Sequence, residues 1–135
     1  MKRNGILHPE LAKAIASLGH GDLILVTDAG FPIPDNVKRI DVAVAPNIPR
    51  FLDVLSVILM EVVVEEVYVA SETLEKNPDI HEGIMRLLYR YQLNARMKEV
   101  SHEQLKEIAK KAKFIVRTGE FTPYSNIALL CGTPF

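Results

Sequence analysis

The run from Leu23 to Thr27 is almost entirely apolar, and it constrains the fold more than any other part of the chain. A strand without polar alternation is typical of one covered on both faces, as in a parallel or mixed α/β sheet. Polar residues flank this run, since His20 lies between two glycines before it and Asp28 follows it directly. The pattern therefore predicts a buried strand with chemically capable residues at both ends.

Helix and strand patterns alternate along the rest of the chain. Proline or capping residues followed by apolar residues at helical spacing predict helices over 9–18, 49–61, 73–93 and 101–111. Short apolar or β-branched runs predict strands over 23–27, 40–45, 62–70, 95–100, 114–117 and 127–131. We expect Gly19 to end the first helix in a left-handed conformation. Pro78 either lies in the first turn of its helix or delays the start, and Ser101 with Gln104 predicts a capping box.

This order of elements indicates a three-layer α/β/α fold, with helices on both faces of a mixed, mainly parallel sheet of about six strands. A chain of 135 residues is long enough to bury a sizeable core and most often forms one domain. No linker or repeat divides it, so we expect a single domain over residues 1–135.

Charge and cysteine content exclude several classes of function. The net charge is −1 and the basic residues form no block, so we expect no nucleic-acid partner. The most apolar stretch, Val54–Val64, contains Glu61 and is too short for a membrane helix. Cys131 is the only cysteine and lies in an apolar run, which favours a packed, inert thiol in a reducing compartment. We therefore expect a soluble, cytoplasmic protein.

The polar residues that remain suit a neutral ligand. The chain contains no glycine-rich phosphate loop, no serine nucleophile elbow and no zinc-ligand spacing. His20 follows the end of a helix and His102 lies at the start of one, so the helix dipole acts on the two histidines in opposite directions, as an acid and a base require. Asp28 follows the carboxyl end of a strand, where ligands of α/β proteins bind. The 118–126 segment adds uncharged donors and acceptors from Tyr124, Ser125 and Asn126, as a polyol requires.

Each of these residues also has a purely structural interpretation. His20 could be a loop residue bonded to the backbone, and His102 could be an exposed first residue of a capped helix. Asp28 could accept hydrogen bonds from the turn amides of Ala29 and Gly30, because aspartate before glycine is a common turn signal. His20, Asp28 and His102 could also form a metal site of two histidines and one carboxylate, although their wide spacing gives it no local support.

Several motifs together resemble the D-ribose pyranase and L-fucose mutarotase family over nearly the whole chain. The resemblance includes Gly-His-Gly-Asp at 19–22 and Ser-His at 101–102. Its two most specific parts are Asp-Ala-Gly-Phe-Pro-Ile-Pro at 28–34 and Arg-Thr-Gly-Glu at 117–120, which is followed by Thr-Pro-Tyr-Ser-Asn at 122–126. The motifs at 28–34 and 117–120 are similar to those of the ribose branch of the family. Ser125 departs from the alanine expected at that position.

The resemblance implies a cofactor-free isomerase that interconverts the β-pyranose and β-furanose forms of D-ribose, a step in D-ribose degradation. It implies that His20 is the proton donor, while Asp28, His102, Tyr124, Ser125 and Asn126 contact the sugar and no metal is needed. Asp28 is expected to orient either His20 or the sugar, and His102 is either a base or a binding group. Family members form rings of five subunits, often stacked as decamers, with the pocket at a subunit boundary.

Three other functions stay open from the sequence. An L-fucose-type mutarotase would exchange anomers of another sugar, and a non-catalytic ring protein would bind ribose without converting it. A phosphosugar-binding protein is disfavoured, because Arg117 is the only cation in the candidate loops.

Overall fold

The computed structural model describes residues 1–135 and contains five helices and six strands. The helices are α1 Pro9–Ala16, α2 Phe51–Leu59, α3 Ser71–Lys76, α4 Pro78–Tyr91 and α5 His102–Ala109. The strands are β1 Leu23–Thr27, β2 Lys38–Asp41, β3 Val64–Ala70, β4 Arg96–Val100, β5 Phe114–Arg117 and β6 Ile127–Cys131. None of the helices is both long enough and apolar enough to cross a membrane.

The strands form one mixed sheet in the order β2-β5-β1-β6-β3-β4. The β1–β5, β2–β5 and β3–β4 pairs are parallel, while β6 runs antiparallel to both of its neighbours, β1 and β3. Strand β1 occupies a central position and its residues Ile24, Leu25 and Val26 are fully buried. The predicted mixed, mainly parallel sheet is confirmed, and so is the buried strand after His20.

Helices cover the two faces of the sheet unequally. A core of 23 buried residues joins one face to α1, α2 and α4, with Ile24 and Val26 of β1 pointing into it. A smaller core of eight residues joins the other face to α5, with Leu25 of β1 pointing into it. The alternation of Ile24, Leu25 and Val26 between the two cores is the period-2 geometry of a strand. This arrangement confirms the three-layer α/β/α prediction.

The predicted 73–93 helix is two helices, because Asn77 interrupts it with φ −138° and ψ 67°. The residue before a proline is driven out of the helical region by a clash with the proline ring. Pro78 then begins α4 at a position where its missing N–H costs nothing. Of the two placements expected for Pro78, the structure has the one in the first turn.

Two other local predictions are wrong. Strand β2 covers Lys38–Asp41 instead of 40–45, because the chain turns at Asp41, whose side chain accepts a hydrogen bond from the amide of Ala43 (3.0 Å). The left-handed residue after α1 is Gly21, with φ +84°, and not Gly19. Helix α1 ends at Ala16, two residues before its predicted end, and the chain crosses 17–20 before the left-handed residue.

Candidate active site

The largest pocket lies beyond the carboxyl ends of β1 and β5, where ligands of α/β proteins commonly bind. It has a volume of about 640 Å³ and is lined by three of the predicted site residues, Asp28, His102 and Tyr124. Parallel pairing brings the ends of β1 and β5 to one edge of the sheet, and antiparallel β6 begins there. The loops after β1 and β5 and the start of α5 therefore meet at one place.

Asp28 is held by a reciprocal pair of hydrogen bonds with Asn126. The Asp28 amide donates to Asn126 Oδ1 (2.9 Å), and Asn126 Nδ2 donates to Asp28 Oδ2 (3.2 Å). The amide of Gly30 donates to Asp28 Oδ1 (3.0 Å), which confirms part of the turn interpretation. The amide of Ala29 instead donates to the Glu120 carbonyl (2.8 Å). The carboxylate is thus fixed in orientation before any ligand arrives.

Burial raises the pKa of the Asp28 carboxyl above its usual value, against hydrogen bonds from Gly30 and Asn126 that lower it. Desolvation penalises the charged form of an acid, and the fixed donors recover only part of that cost. A carboxylate with a raised pKa is a better proton acceptor than one in water. Asp28 can therefore both orient a hydroxyl group and accept a proton from it.

His102 lines the pocket next to two other aromatic rings, those of Phe31 and Tyr124. Its ring packs edge-on against Tyr124 at 5.1 Å between centroids and against Phe31 at 5.9 Å. The predicted capping box of Ser101 and Gln104 is present and fixes the start of α5. Nδ1 of His102 is buried without a hydrogen-bond partner, so the hydrogen-bonding capacity of the ring is not used up within the chain.

Tyr124 adopts a left-handed backbone conformation, with φ +63°. Such a conformation is uncommon for a residue other than glycine, and it is often found at functional sites. Ser125 and Asn126 follow it and are fully buried, and Ser125 Oγ has no hydrogen-bond partner. Tyr124 lines the pocket, while Ser125 and Asn126 lie behind the lining.

The charged side chains at the pocket have protein partners. Arg117 pairs with Asp41 (2.8 Å) and donates to the Ala29 carbonyl (3.0 Å), and Lys106 pairs with Glu103 (3.0 Å). Glu120 is almost fully buried and accepts hydrogen bonds from Arg50 and from the amide of Phe51, both at 3.1 Å. Because Arg117 and Lys106 are each paired with a carboxylate, the pocket suits a neutral ligand better than a phosphorylated one.

His20 does not reach this pocket. It lies before β1, whereas Asp28 lies after it, and the strand between them spans about 17 Å at roughly 3.3 Å per residue. The His20 side chain is 60% exposed, and its Nε2 lies 3.2 Å from Glu65 Oε2. The expectation that Asp28 orients His20 is therefore wrong within one chain, because β1 holds the two residues at opposite edges of the sheet.

The metal and thiol interpretations receive no structural support. His20, Asp28 and His102 form no cluster, and no three His, Cys, Asp or Glu side chains lie close enough together to hold a metal ion. Cys131 is buried at the end of β6, and desolvation raises the pKa of its thiol to about 11. The predicted packing of Cys131 is confirmed.

The structure thus brings together Asp28, His102, Tyr124, Ser125 and Asn126 and leaves His20 apart. It adds Phe31, Lys106, Arg117 and Glu120 to the pocket. Phe31, Arg117 and Glu120 lie in the two most specific motifs, so motif position was the signal that could have identified them. Lys106 had no such signal, because only the placement of α5 brings it to the pocket.

Comparisons with known proteins agree with the residues and the fold. A D-ribose pyranase from Symbiobacterium thermophilum is 47% identical over 135 residues, covering all of both chains. The solved structure of Bacillus subtilis RbsD complexed with D-ribose superposes with a TM-score of 0.92 at 41% identity, again over all of both chains. A Streptococcus pneumoniae fucose mutarotase in complex with L-fucose gives a TM-score of 0.80 at 27% identity, covering 96% of this chain and 95% of that one.

The model of the RbsD / FucU transport protein family matches residues 1–134. The match includes both ends of β1, the start of α5 and the whole 117–126 segment. This protein therefore belongs to the RbsD / FucU transport protein family.

Proposed function

We propose that this protein is a D-ribose pyranase, which interconverts the β-pyranose and β-furanose forms of D-ribose. The observation that carries the proposal is the pocket formed by Asp28, His102 and Tyr124, in a chain 47% identical over its full length to proteins of that name. Its polar groups are fixed in place and its cations are already paired. These features fit an uncharged sugar with several hydroxyl groups.

The reaction requires the sugar ring to open and to close again through a different hydroxyl. A proton leaves the anomeric hydroxyl as its oxygen forms the aldehyde carbonyl, and a proton is added to the departing ring oxygen. Closure through the C4 hydroxyl instead of the C5 hydroxyl gives the furanose. No electrons are transferred, so a positioned acid and a positioned base are sufficient, contributing typically about 10²–10⁴-fold each.

Within this scheme His20 donates the proton to the ring oxygen. Asp28 accepts a hydrogen bond from the sugar, and its buried carboxylate is the strongest candidate for the group that receives the anomeric proton. His102 and Tyr124 contact the sugar side by side, while Asn126 keeps Asp28 oriented. Ser125 contributes to the wall behind Tyr124. The role of His20 is the one that the family resemblance implies, while the placement of Asp28, His102 and Tyr124 at the pocket supports theirs.

His20 has to come from a second copy of the chain, because β1 separates it from the pocket of its own chain. The proposal therefore includes a homo-oligomer, in which the His20 loop of one subunit closes the pocket of another. The resemblance to ring-forming relatives favours pentamers stacked as a decamer. Apolar side chains beside the pocket are strongly exposed, as an interface would require: Phe121 is 62% exposed and Ile48 is 56% exposed.

The proposal includes a cytoplasmic location and a role at the start of D-ribose degradation. A chain whose single cysteine is buried and unpaired is compatible with a reducing compartment. The reaction would supply the ring form of D-ribose that a later, stereospecific enzyme accepts.

Saturation-transfer NMR on a panel of sugars tests the activity. Protein should accelerate exchange between the pyranose and furanose signals of D-ribose well above the rate in buffer. Faster anomer exchange of L-fucose than ring exchange of ribose would assign the protein to mutarotase chemistry instead. Ribose binding with exchange no faster than in buffer would indicate a binding protein. Light scattering of the same sample tests the oligomer, and a monomeric mass would contradict it.

A further inference from the structure

Helix α3 lies behind the pocket and contributes no residue to its lining. It is a six-residue helix that immediately follows β3 and ends at Asn77. Three side chains within residues 71–77 nevertheless form hydrogen bonds to the backbone of residues in or next to the pocket wall. These contacts join two walls that belong to different parts of the chain.

The first contact holds the His102 wall. Both carboxylate oxygens of Glu72 lie 3.1 Å from the backbone nitrogen of His102 and accept its hydrogen. His102 is the first residue of α5, so its amide is one of the helix donors that has no partner within the helix. The capping box of Ser101 and Gln104 satisfies other groups at this end. Glu72 therefore completes the cap of α5 from a separate helix.

The charge of Glu72 is maintained in this position. Burial works against the charge, but hydrogen bonds from Ser71 and from the amide of His102 outweigh it, so that the pKa of Glu72 is lowered. An ionised carboxylate only accepts hydrogen bonds, and it is favoured beside the positive end of a helix. Glu72 thus fits its role as an acceptor at the start of α5.

The second and third contacts hold the Tyr124 wall. Thr73 is fully buried and donates its hydroxyl hydrogen to the carbonyl of Tyr124 (2.7 Å). The side-chain amide of Asn77 donates to the carbonyl of Pro123. Tyr124 has the left-handed conformation described above, which persists only where the surroundings hold it. Two donors from residues 71–77 therefore hold two successive carbonyls at the strained turn.

We propose that three residues of the 71–77 segment position the two rings that bind the sugar, with Glu72 fixing His102 and with Thr73 and Asn77 fixing Tyr124. The three are positioning residues, because none of them lines the pocket. Together they set the 5.1 Å contact between the His102 and Tyr124 rings. The inference rests on the proposed function for the identity of the ligand, but the contacts themselves do not depend on it.

The proposal makes a specific kinetic prediction. Residues 71–77 act on the walls that bind the sugar, while the proton donor His20 lies elsewhere and is unaffected. Loss of the contacts should weaken the binding of substrate and transition state together, and such a loss raises KM with little change in kcat. A purely structural defect would instead reduce the amount of active protein, which lowers kcat at constant KM.

Two variants in the full-length protein test the two walls. Glu72→Leu removes the acceptor of the His102 amide, and Asn77→Asp replaces a donor by an acceptor that repels the Pro123 carbonyl. We expect each to raise the KM for D-ribose by about tenfold, since small misplacements of binding groups are costly. Glu72→Gln keeps one acceptor oxygen and should recover most of the affinity. Glu75→Gln and Asn94→Asp change the same residue types at exposed positions and should leave KM unchanged.

Hydrogen–deuterium exchange provides a readout that does not depend on activity. Peptides containing His102 should lose protection in Glu72→Leu, and peptides containing Tyr124 should lose protection in Asn77→Asp. Unchanged KM and unchanged protection in both variants would overturn the proposal, and so would lower kcat at constant KM. If the wild-type protein exchanges no ribose, the proposed function fails, while the protection of the two peptides still decides whether residues 71–77 hold the walls.

Discussion

The two ends of β1 carry His20 and Asp28, and they differ in exposure and in hydrogen bonding. At the carboxyl end, Asp28 is 9% exposed and is held by Asn126 and Gly30. At the amino end, the His20 side chain is 60% exposed, and Glu65, its partner, is also partly exposed. The first end is organised within one chain, whereas the second presents its residue to the outside.

This difference explains why a single chain holds only part of the proposed site. Binding groups benefit from being fixed before the ligand arrives, because their ordering then costs nothing on binding. The carboxyl end of β1 meets that requirement through buried hydrogen bonds. A residue offered to another subunit has to be exposed in its own chain, and the amino end of β1 meets that requirement. The two ends therefore suit opposite roles at the proposed subunit boundary.

The largest effect is expected from His20→Ala. Because His20 is exposed and outside both cores, the variant should fold and assemble, yet ring exchange should fall by about 10²–10⁴-fold through loss of the proton donor. Saturation-transfer NMR measures the loss, and a melting curve checks the fold. His81→Ala serves as the control, since His81 lies on α4 away from the pocket. Exchange near the wild-type rate in His20→Ala would remove His20 from the mechanism.

Mixing two inactive variants tests whether His20 of one chain completes the Asp28 pocket of another chain. His20→Ala and Asp28→Asn should each be nearly inactive alone, but co-expression lets an intact pocket receive an intact His20 from a neighbour. Random assembly of equal amounts should restore about a quarter of wild-type activity in a closed ring with one site at each boundary. Co-purified hybrids that remain inactive would contradict a site shared between subunits.

Glu120→Gln tests how much the buried hydrogen bonds near the carboxyl end of β1 contribute to the stability of the fold. The buried carboxylate accepts hydrogen bonds from Arg50, the Phe51 amide and the Thr122 amide (3.3 Å), and a glutamine would direct an N–H group at some of these donors. We expect the loss to be about 1–3 kcal/mol, the usual cost of leaving buried donors unsatisfied. Urea denaturation measures it, with Glu107→Gln on the exposed face of α5 as the control. Equal stability of the two variants would contradict the importance of this buried acceptor.

Asp22→Asn tests the exposed amino end of β1 and should have the smallest effect on stability. Hydrogen bonds from the Gly19 amide (2.8 Å) and Lys113 (3.1 Å) lower the pKa of Asp22 below its usual 3.8. A lowered pKa stabilises the folded state above the unfolded pKa, and that contribution is lost as the pH falls through the folded pKa. The variant should cost about 0.5 kcal/mol near neutral pH, as partly exposed ion pairs do.

The pH dependence supplies the check on Asp22. Urea denaturation between pH 3 and pH 7 should show a constant difference between wild type and Asp22→Asn at the upper end of this range. The difference should shrink as the pH falls below about 4, where the unfolded carboxyl already binds its proton. A difference that grows on acidification would contradict the sign of this linkage.

The parts of the fold predicted most accurately are those with a local physical cause. Strands β1, β5 and β6 have the predicted bounds because each is a short apolar run between polar or turn residues. The Ser101–Gln104 capping box forms as predicted because both of its hydrogen bonds lie within four residues. The wrong predictions at β2 and Gly19 also have local causes. The Asp41 side chain forms a turn that ends β2, and Gly21 instead of Gly19 adopts the left-handed conformation.

The residue types of the candidate site were also readable from the sequence, because motifs near strand ends and helix starts carry the polar groups. The sequence by itself determined that a buried strand has histidine before it and aspartate after it. Only the tertiary structure decided which partners each of them has. The order and direction of the strands place Asp28 beside Asn126, 98 residues away, and leave His20 at the opposite edge. Such neighbours depend on packing between distant segments, which no local pattern encodes.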